Sequence, residues 1–320
     1  MQILITGCAG FIGFNLARSL ADHKKIKLIG IDNLNSYYSI KLKKDRINEL
    51  KKYKNFTFKK LDILNRKKLI NFFKNKNIDL IINLAAQAGV RYSLIKPDEF
   101  VDNNITGFYN LISLAKNNNI KKIIYASSSS IYGDSKKFPL NESHSVSPKN
   151  IYALSKKINE EIAEVFSEQY NISFIGLRFF TVFGEWGRPD MFMMKYLTSS
   201  YKSENKFFLN NFGHHTRDFT YIKDVCEILK KLIFSKKKIK HEIFNICSNN
   251  PIDLYEITKK INLITEKKPK LYKRKLQKAD VVKTHGQNNK ILKFIKGYKF
   301  TSIDQGLLNT LQWFKKYYNF

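Results

Sequence analysis

Tyr152 and Lys156 stand four residues apart in "KNIYALSKKINEEIAEVFSEQY", a segment whose apolar spacing is that of a helix. Positions i and i+4 share a helix face, so the phenol and the ammonium project side by side. A tyrosine titrates near pH ~10, so acting as a base near neutrality takes roughly 4 kcal/mol of phenolate stabilisation, part of which an adjacent ammonium supplies. Taken alone, such a pair is also what an exposed helix surface carries by chance. Upstream, "IYASSSSIYG" sets Ser127, Ser128, Ser129 and Ser130 in a row behind a short apolar run. A serine run marks a solvated loop unless its neighbours give the hydroxyls something to act on.

Those neighbours begin at the N-terminus. Gly7-Cys-Ala-Gly10-Phe11-Ile12-Gly13 follows the apolar run "QILIT" and opens a helical pattern. Glycines are needed where a chain turns tightly and where backbone N–H groups approach a pyrophosphate at a helix N-terminus. Asp32 closes the second apolar run nineteen residues after Gly13, where a carboxylate accepts hydrogen bonds from ribose hydroxyls. Its charge repels a 2'-phosphate, and Asn33 follows with no arginine nearby, so the pattern selects NAD over NADP. Asp62 and Ile63 end the third apolar run, where an adenine would lie, and Leu84, Ala85 and Ala86 of "NLAA" are small enough for a cofactor to pass close to the backbone. Behind a dinucleotide loop, Tyr152 and Lys156 are no longer an isolated pair, because a positively charged nicotinamide ring adds to what the lysine supplies.

The elements that must position these groups alternate. "QILIT", "KLIGID", "FTFKKLDI", "DLIINLAA", "KKIIYASS" and "ISFIGLRFF" read as strands, and the segments between them as helices. The expected fold class is α/β, a doubly wound parallel sheet of Rossmann type with ligands at the carboxyl ends of its strands. Past about residue 180 the alternation breaks into loops, aromatic-rich pieces and a few helices, which reads as a smaller C-terminal substrate-binding lobe. The expected division is an NAD-binding domain over 1–176 with later contributions from about 217–247, and a substrate lobe over 177–216 and 248–320.

Composition narrows the class. A chain of 320 residues buries roughly three quarters of its unfolded surface, enough for one large domain with a lobe. The start "MQILITG" lacks a basic leader, and no apolar run approaches the ~18 residues of a membrane span, so a cytoplasmic protein without membrane attachment is expected. The formal charge of +30 invites a nucleic-acid reading, but only eight of the 57 basic residues are arginines, and the lysines are spread along the chain. No nucleic-acid partner is expected. Cys8, Cys226 and Cys247 are far apart and form no CxxC pair or metal set with the six histidines.

With the glycine loop, Asp32, the serine run and YxxxK in order, the chain resembles the extended short-chain dehydrogenase/reductase family from Gly7 to the last helix. The resemblance implies that the serine five residues before Gly133, Ser128, is the hydroxyl partner of a catalytic Tyr152 and Lys156. In related dehydratases and decarboxylases an acid follows that hydroxyl, whereas Ser129 and Ser130 stand here. Without an acid to move protons for elimination, oxidation at C4 of a nucleotide sugar is followed by reduction, which is epimerisation. "DNLNSYYSIKLKKDRINEL", "NLAAQAGVRYSL", "LRFFTVFGEWGRPDM" and "RDFTYIKD" are similar to the UDP-glucuronate 4-epimerases of bacteria and plants.

That similarity implies an isomerase with bound NAD that makes UDP-galacturonate for a surface polysaccharide. Its 4-keto intermediate is a β-keto acid prone to lose carbon dioxide, so the carboxylate has to be anchored. Ser129, Ser130 and Thr181 are the candidate donors, with Arg188 as either a charged anchor or a loop arginine paired with Glu185 or Asp190. Arg217 resembles the family's diphosphate-binding arginine, Asn103 its nicotinamide-side asparagine, and Asp280 its uridine-ribose contact. Ala279 in place of glycine, Lys223 within "YIKD" and "THGQNNKI" depart from the family pattern. His214 and His215 read as loop residues and Met191, Met193 and Met194 as packing in the lobe. The helices around 98–117 and 149–169 imply a homodimer. An epimerase for UDP-glucose or UDP-N-acetylglucosamine stays open as the alternative, and a noncatalytic NAD-binding protein is the reading of a different class.

Overall fold

The computed structural model describes residues 1–74, 76–201, 206–277 and 280–320. Gln2–Thr6 (β1) leads through Phe11–Ala21 (α1) to Lys27–Asp32 (β2), and Ile40–Lys51 (α2) leads to Phe56–Lys60 (β3). Arg66–Phe73 (α3), Leu80–Asn83 (β4), Pro97–Phe100 (α4), Gly107–Asn117 (α5), Lys122–Ser128 (β5), Ile151–Tyr170 (α6) and Ser173–Phe179 (β6) follow. The second half contributes Thr181–Phe183 (β7), Phe192–Tyr201 (α7), Lys206–Asn210 (β8), Thr216–Tyr221 (β9), Ile222–Ile233 (α8) and His241–Ile246 (β10). Pro251–Asp253 (β11), Leu254–Thr265 (α9), Lys270–Arg274 (β12), Asn289–Phe294 (α10) and Ile303–Tyr318 (α11) complete it.

Among the described residues, seven strands form one parallel sheet in the order β10-β6-β5-β4-β1-β2-β3. The winding reverses between β1 and β4, and a crevice opens there beyond the strands' carboxyl ends. β1 reads as a continuous apolar run because both its faces are covered. Ile3 and Ile5 pack with α1, α2 and α8 on one side, while Leu4 packs with α3 and α5 on the other. Two smaller sheets among the described residues, β11-β9-β7 and β12-β8, are built from the second half of the chain.

The doubly wound parallel architecture and the six strands read from the sequence are all present, and β10, "HEIFNI", extends the sheet beyond β6. One helix differs from expectation. The pattern over "DEFVDNNITGFYNLISLAKNN" is interrupted by a π-helical turn, Val101–Thr106, between α4 and α5. The polar residues explain it: Asn103 Nδ2 donates back to the Glu99 carbonyl at 2.8 Å, and Asn104 bridges the Gln87 backbone and the Ser155 hydroxyl. Such side-chain bonds compete with the regular ladder and widen the turn. No helix among the described residues is long and apolar enough to cross a membrane.

Candidate active site

The crevice is a cleft of about 280 Å³, and its adenosine-facing end is built from backbone. Gly7, at φ 69°, sits so close to β4 that a Cβ there would lie 2.7 Å from the Ala85 nitrogen. A Cβ on Gly13 would lie 2.2 Å from the Gly7 carbonyl oxygen. The turn therefore exists only without side chains. α1 begins at Gly10 with no side-chain cap and no acidic residue in its first turn, which leaves its leading N–H groups and positive dipole end for an anion. Asp32 at the end of β2 accepts from the Ala9 nitrogen at 3.0 Å and the Leu34 nitrogen at 2.8 Å. Burial raises its pKa, and those two N–H groups with Lys43 and Arg46 oppose the rise.

Gly7, Gly10, Phe11, Ile12, Gly13, Asp32, Asn33, Asp62, Ile63, Leu84, Ala85, Ala86 and Asn103 all line this cleft. Asp62 does not end the third strand: β3 stops at Lys60, Leu61 makes a last bond to the Asp32 carbonyl, and Asp62 turns the chain by accepting from the Leu64 nitrogen. Asn33 then holds the Asp62 carboxylate at 2.9 Å. Dinucleotide geometry fits these residues: an N–H cradle that side chains would fill, and a carboxylate at the strand end with acceptor capacity to spare.

Ser128, Tyr152 and Lys156 meet in the middle of the cleft. Asn150 caps α6 by accepting from the Ala153 nitrogen, and this register turns Tyr152, Lys156 and Glu160 to the sheet side. Burial raises the Tyr152 pKa, while a hydrogen bond with Ser128 and the charge of Arg188 work against that rise. Lys156 donates to the Ala126 carbonyl at 3.0 Å, and burial pulls its pKa down to about 8. The serines divide their work. Ser127 donates to Glu160, which also takes the Arg178 fork, so α6 is fastened to β5 and β6 directly behind the site. Ser130 turns its hydroxyl 2.9 Å from Ser128 Oγ, and Ser129 opens the 3₁₀ turn beyond; neither lines the cleft.

At the far end Arg188 lines the cleft with its fork already on Asp190, Nε to Oδ1 at 3.0 Å and Nη2 to Oδ2 at 2.5 Å. Of the two partners the sequence offered, Asp190 is the one used; Glu185 instead accepts from Tyr221. Thr181 begins β7 in a small side cavity that shares Phe11, Val182, Arg188 and Met191 with the main cleft. Met193 and Met194 are buried packing, but Met191 faces the cleft. Arg217 and Asp280 are not in the lining and form a second cluster. Arg217 donates to the Thr216, Val281 and Val282 carbonyls, and burial lowers its pKa to about 10. Asp280 is held by the Arg91 fork at 3.0 and 2.7 Å and stands 3.7 Å from buried His215. Ala279 lies outside the described residues. Arg91 and Tyr37 were missed by sequence reading; Arg91 was detectable as one of the chain's few arginines, within "NLAAQAGVRYSL".

Comparison with known proteins agrees with this geometry. A UDP-glucuronate 4-epimerase of Thermodesulfobacterium geofontis is 38% identical over 98% of this chain and 96% of its own. The crystal structure of a Bacillus cereus UDP-glucuronic acid 4-epimerase, in complex with UDP-glucuronic acid and NAD, superposes with TM-score 0.92 at 29% identity, covering 99% of this chain and 100% of that one. A UDP-N-acetylglucosamine 4-epimerase of Methanobrevibacter ruminantium superposes at 0.86 with 26% identity, covering 99% and 98%. The glycine turn, Asp32 and the Ser128–Tyr152–Lys156 set all fall inside residues 3–247, which match the model of the NAD dependent epimerase/dehydratase family, and the chain belongs to that family.

Proposed function

We propose that the protein interconverts UDP-glucuronate and UDP-galacturonate by NAD-dependent 4-epimerisation. One observation carries the choice of epimerisation over elimination or decarboxylation. Among the described residues lining the cleft, the acidic side chains are Asp32 and Asp62, both at the adenosine end, so no lining carboxyl group beside Ser128 and Tyr152 is available to shuttle protons; Glu160 and Asp190 lie behind the lining, each held by an arginine.

In this reading Gly7, Gly10, Gly13 and the start of α1 hold the pyrophosphate, and Asp32 the adenosine ribose. Bound NAD supplies a nicotinamide carbon that takes up and returns a hydride at C4 of the sugar. Tyr152 accepts the C4 hydroxyl proton, Ser128 shares that hydrogen bond, and the Lys156 ammonium stabilises the phenolate. After the 4-ketosugar turns over in the cleft, so that C4 regains its hydrogen on the opposite face, the same phenol returns the proton to the C4 oxygen. Arg188, with the Thr181 hydroxyl in the adjoining side cavity, holds the C6 carboxylate so that its C5–C6 bond stays near the plane of the C4 carbonyl, where decarboxylation is slow; Ser129 and Ser130, expected to share this task, lie outside the cleft lining. Arg217 and Asp280 take the diphosphate and uridine end. The proposed division of labour gives 1–176 with 217–247 to the cofactor and 177–216 with 248–320 to the substrate. A homodimer is proposed through α5 and α6, whose outer faces expose Tyr109, Leu154 and Val165.

A second reading, an epimerase for neutral or N-acetylated UDP-hexoses, is favoured by the fact that Asp190 already neutralises Arg188. Incubating purified protein without added NAD with UDP-glucuronate, UDP-glucose and UDP-N-acetylglucosamine separately, and resolving products by NMR, decides between them. UDP-galacturonate accumulating toward equilibrium is expected; conversion of the neutral sugars alone would overturn the uronate assignment.

A further inference from the structure

The Arg188–Asp190 pair sits in a frame that reaches across the cleft. Tyr37, from the loop between β2 and α2, donates to Asp190 Oδ2 at 3.1 Å, and its ring lies 5.7 Å from the Arg188 guanidinium carbon. That hydroxyl is fixed in turn, because Tyr37 packs on Tyr92 with ring centroids 4.9 Å apart. A Cβ on Gly89 would meet its oxygen at 2.2 Å. Tyr37 and Arg188 line the cleft, and Asp190 stands behind them. Burial would lower the Arg188 pKa, but Asp190 more than restores it; the same pairing holds the Asp190 carboxyl below its usual range despite burial.

A guanidinium has two edges that match a carboxylate, and Asp190 occupies the one made by Nε and Nη2. The incoming anion is left the Nη1 side. The guanidinium's charge is partly neutralised and its direction set by Asp190, which does not line the cleft. Resting on the uronate reading above, we propose that Asp190, held by Tyr37, is a specificity-determining positioning residue: it aims Arg188 at the C6 carboxylate and moderates its pull, so that the carboxylate is held in one orientation and still releases for turnover of the ketone.

The test compares steady-state constants of the NAD-loaded wild type, Asp190→Asn and Tyr37→Phe on UDP-glucuronate and on UDP-glucose, with carbon dioxide release per turnover as a further readout. Asp190→Asn keeps the shape and removes the charge. Its KM for UDP-glucuronate is expected to fall about threefold, its kcat to fall about tenfold and its carbon dioxide release to rise, with UDP-glucose constants changed less than about twofold. Tyr37→Phe keeps the ring and loses only the donor to Asp190, so the same split at roughly a third of the size is expected and does not depend on Asp190→Asn folding. Proportional losses on both sugars assign Asp190 a structural role and overturn the proposal, as do unchanged constants. A wild type that converts only neutral sugars overturns the uronate reading by itself, before any variant is measured.

Discussion

The two ends of the cleft are built from different materials. At the adenosine end the binding groups are backbone N–H groups, exposed because Gly7, Gly10 and Gly13 lack side chains, and Asp32 is pinned by two further N–H bonds. At the proposed sugar and nucleotide end the candidate groups are arginines, two from loops and one from β9, each already partnered: Arg188 with Asp190, Arg91 with Asp280 and Arg217 with backbone carbonyls. The first end is a shape, fixed by what the chain cannot contain. The second is a set of charge pairings that a substrate has to join or exchange. A single methyl therefore ought to ruin the first, whereas the second should answer to changes of charge in proportion to how well each pair is buried.

The deepest cut falls between the two ends. Tyr152→Phe removes the proposed proton acceptor and leaves both binding regions in place, so kcat is expected to fall by roughly 10³-fold with NAD still bound. Turnover by NMR and nucleotide released on denaturation measure the two quantities separately. A loss of less than tenfold would put the base elsewhere.

Next in size is a methyl in the cradle. In Gly13→Ala the new Cβ would meet the Gly7 carbonyl oxygen, and backbone cannot step aside as a flexible side chain can. Overpacking of this kind costs about 1–3 kcal/mol, and NAD retention should drop by about 100-fold as the N–H cradle opens. Arg217→Lys, its counterpart at the other end, is expected to weaken UDP-sugar binding while NAD stays bound. If both variants lose NAD equally, the two ends are one cooperative unit and the contrast fails.

Lys156 joins the two ends, and its pH response sharpens the picture. Burial lowers its pKa to about 8, so the ammonium proposed to stabilise the Tyr152 phenolate is present below that pH and lost as pH rises through it. The alkaline limb of kcat/KM is expected to fall from about pH 8, tenfold per unit at its steepest. Lys156→Arg retains charge at every accessible pH, so its residual activity should lack that limb. A wild-type limb above pH 10 would mean that the lysine is not the group titrating.

The same contrast explains what could be read in advance. Steric requirements are written locally: a glycine turn between an apolar run and a helix, Asp32 at a strand end, and a tyrosine and lysine one helical turn apart are visible without knowing what lies nearby. The parallel sheet is legible for a similar reason, since strands buried on both faces are nearly continuous apolar runs. Pairings such as Arg91 with Asp280, which are 189 residues apart, or Tyr37 with Asp190, 153 apart, leave no local trace. The π turn at Val101–Thr106 was hidden too, because it depends on Asn104 reaching Gln87 and Ser155.

The smallest expected effect tests the charged end at its outer rim. The Arg91 side chain is 48% exposed while Asp280 is 9% exposed, so the fork between them is screened on one side by water. Pairs of this kind contribute up to about 1 kcal/mol, and Arg91→Gln should lower Tm by no more than about 2–4 °C. Asp280 would keep His215 at 3.7 Å but lose the fork that fixes its orientation. Freed from that fork, it is expected to raise KM for the UDP-sugar about threefold with kcat unchanged, because the uridine end contributes binding that ground state and transition state share. NAD retention should be unaffected, since Arg91 lies outside the cleft lining. A fall in kcat instead would mean that the Arg91–Asp280 pair reaches the reacting end of the sugar, and that charge pairing at the rim is coupled to the chemistry as tightly as the glycine cradle is to the cofactor.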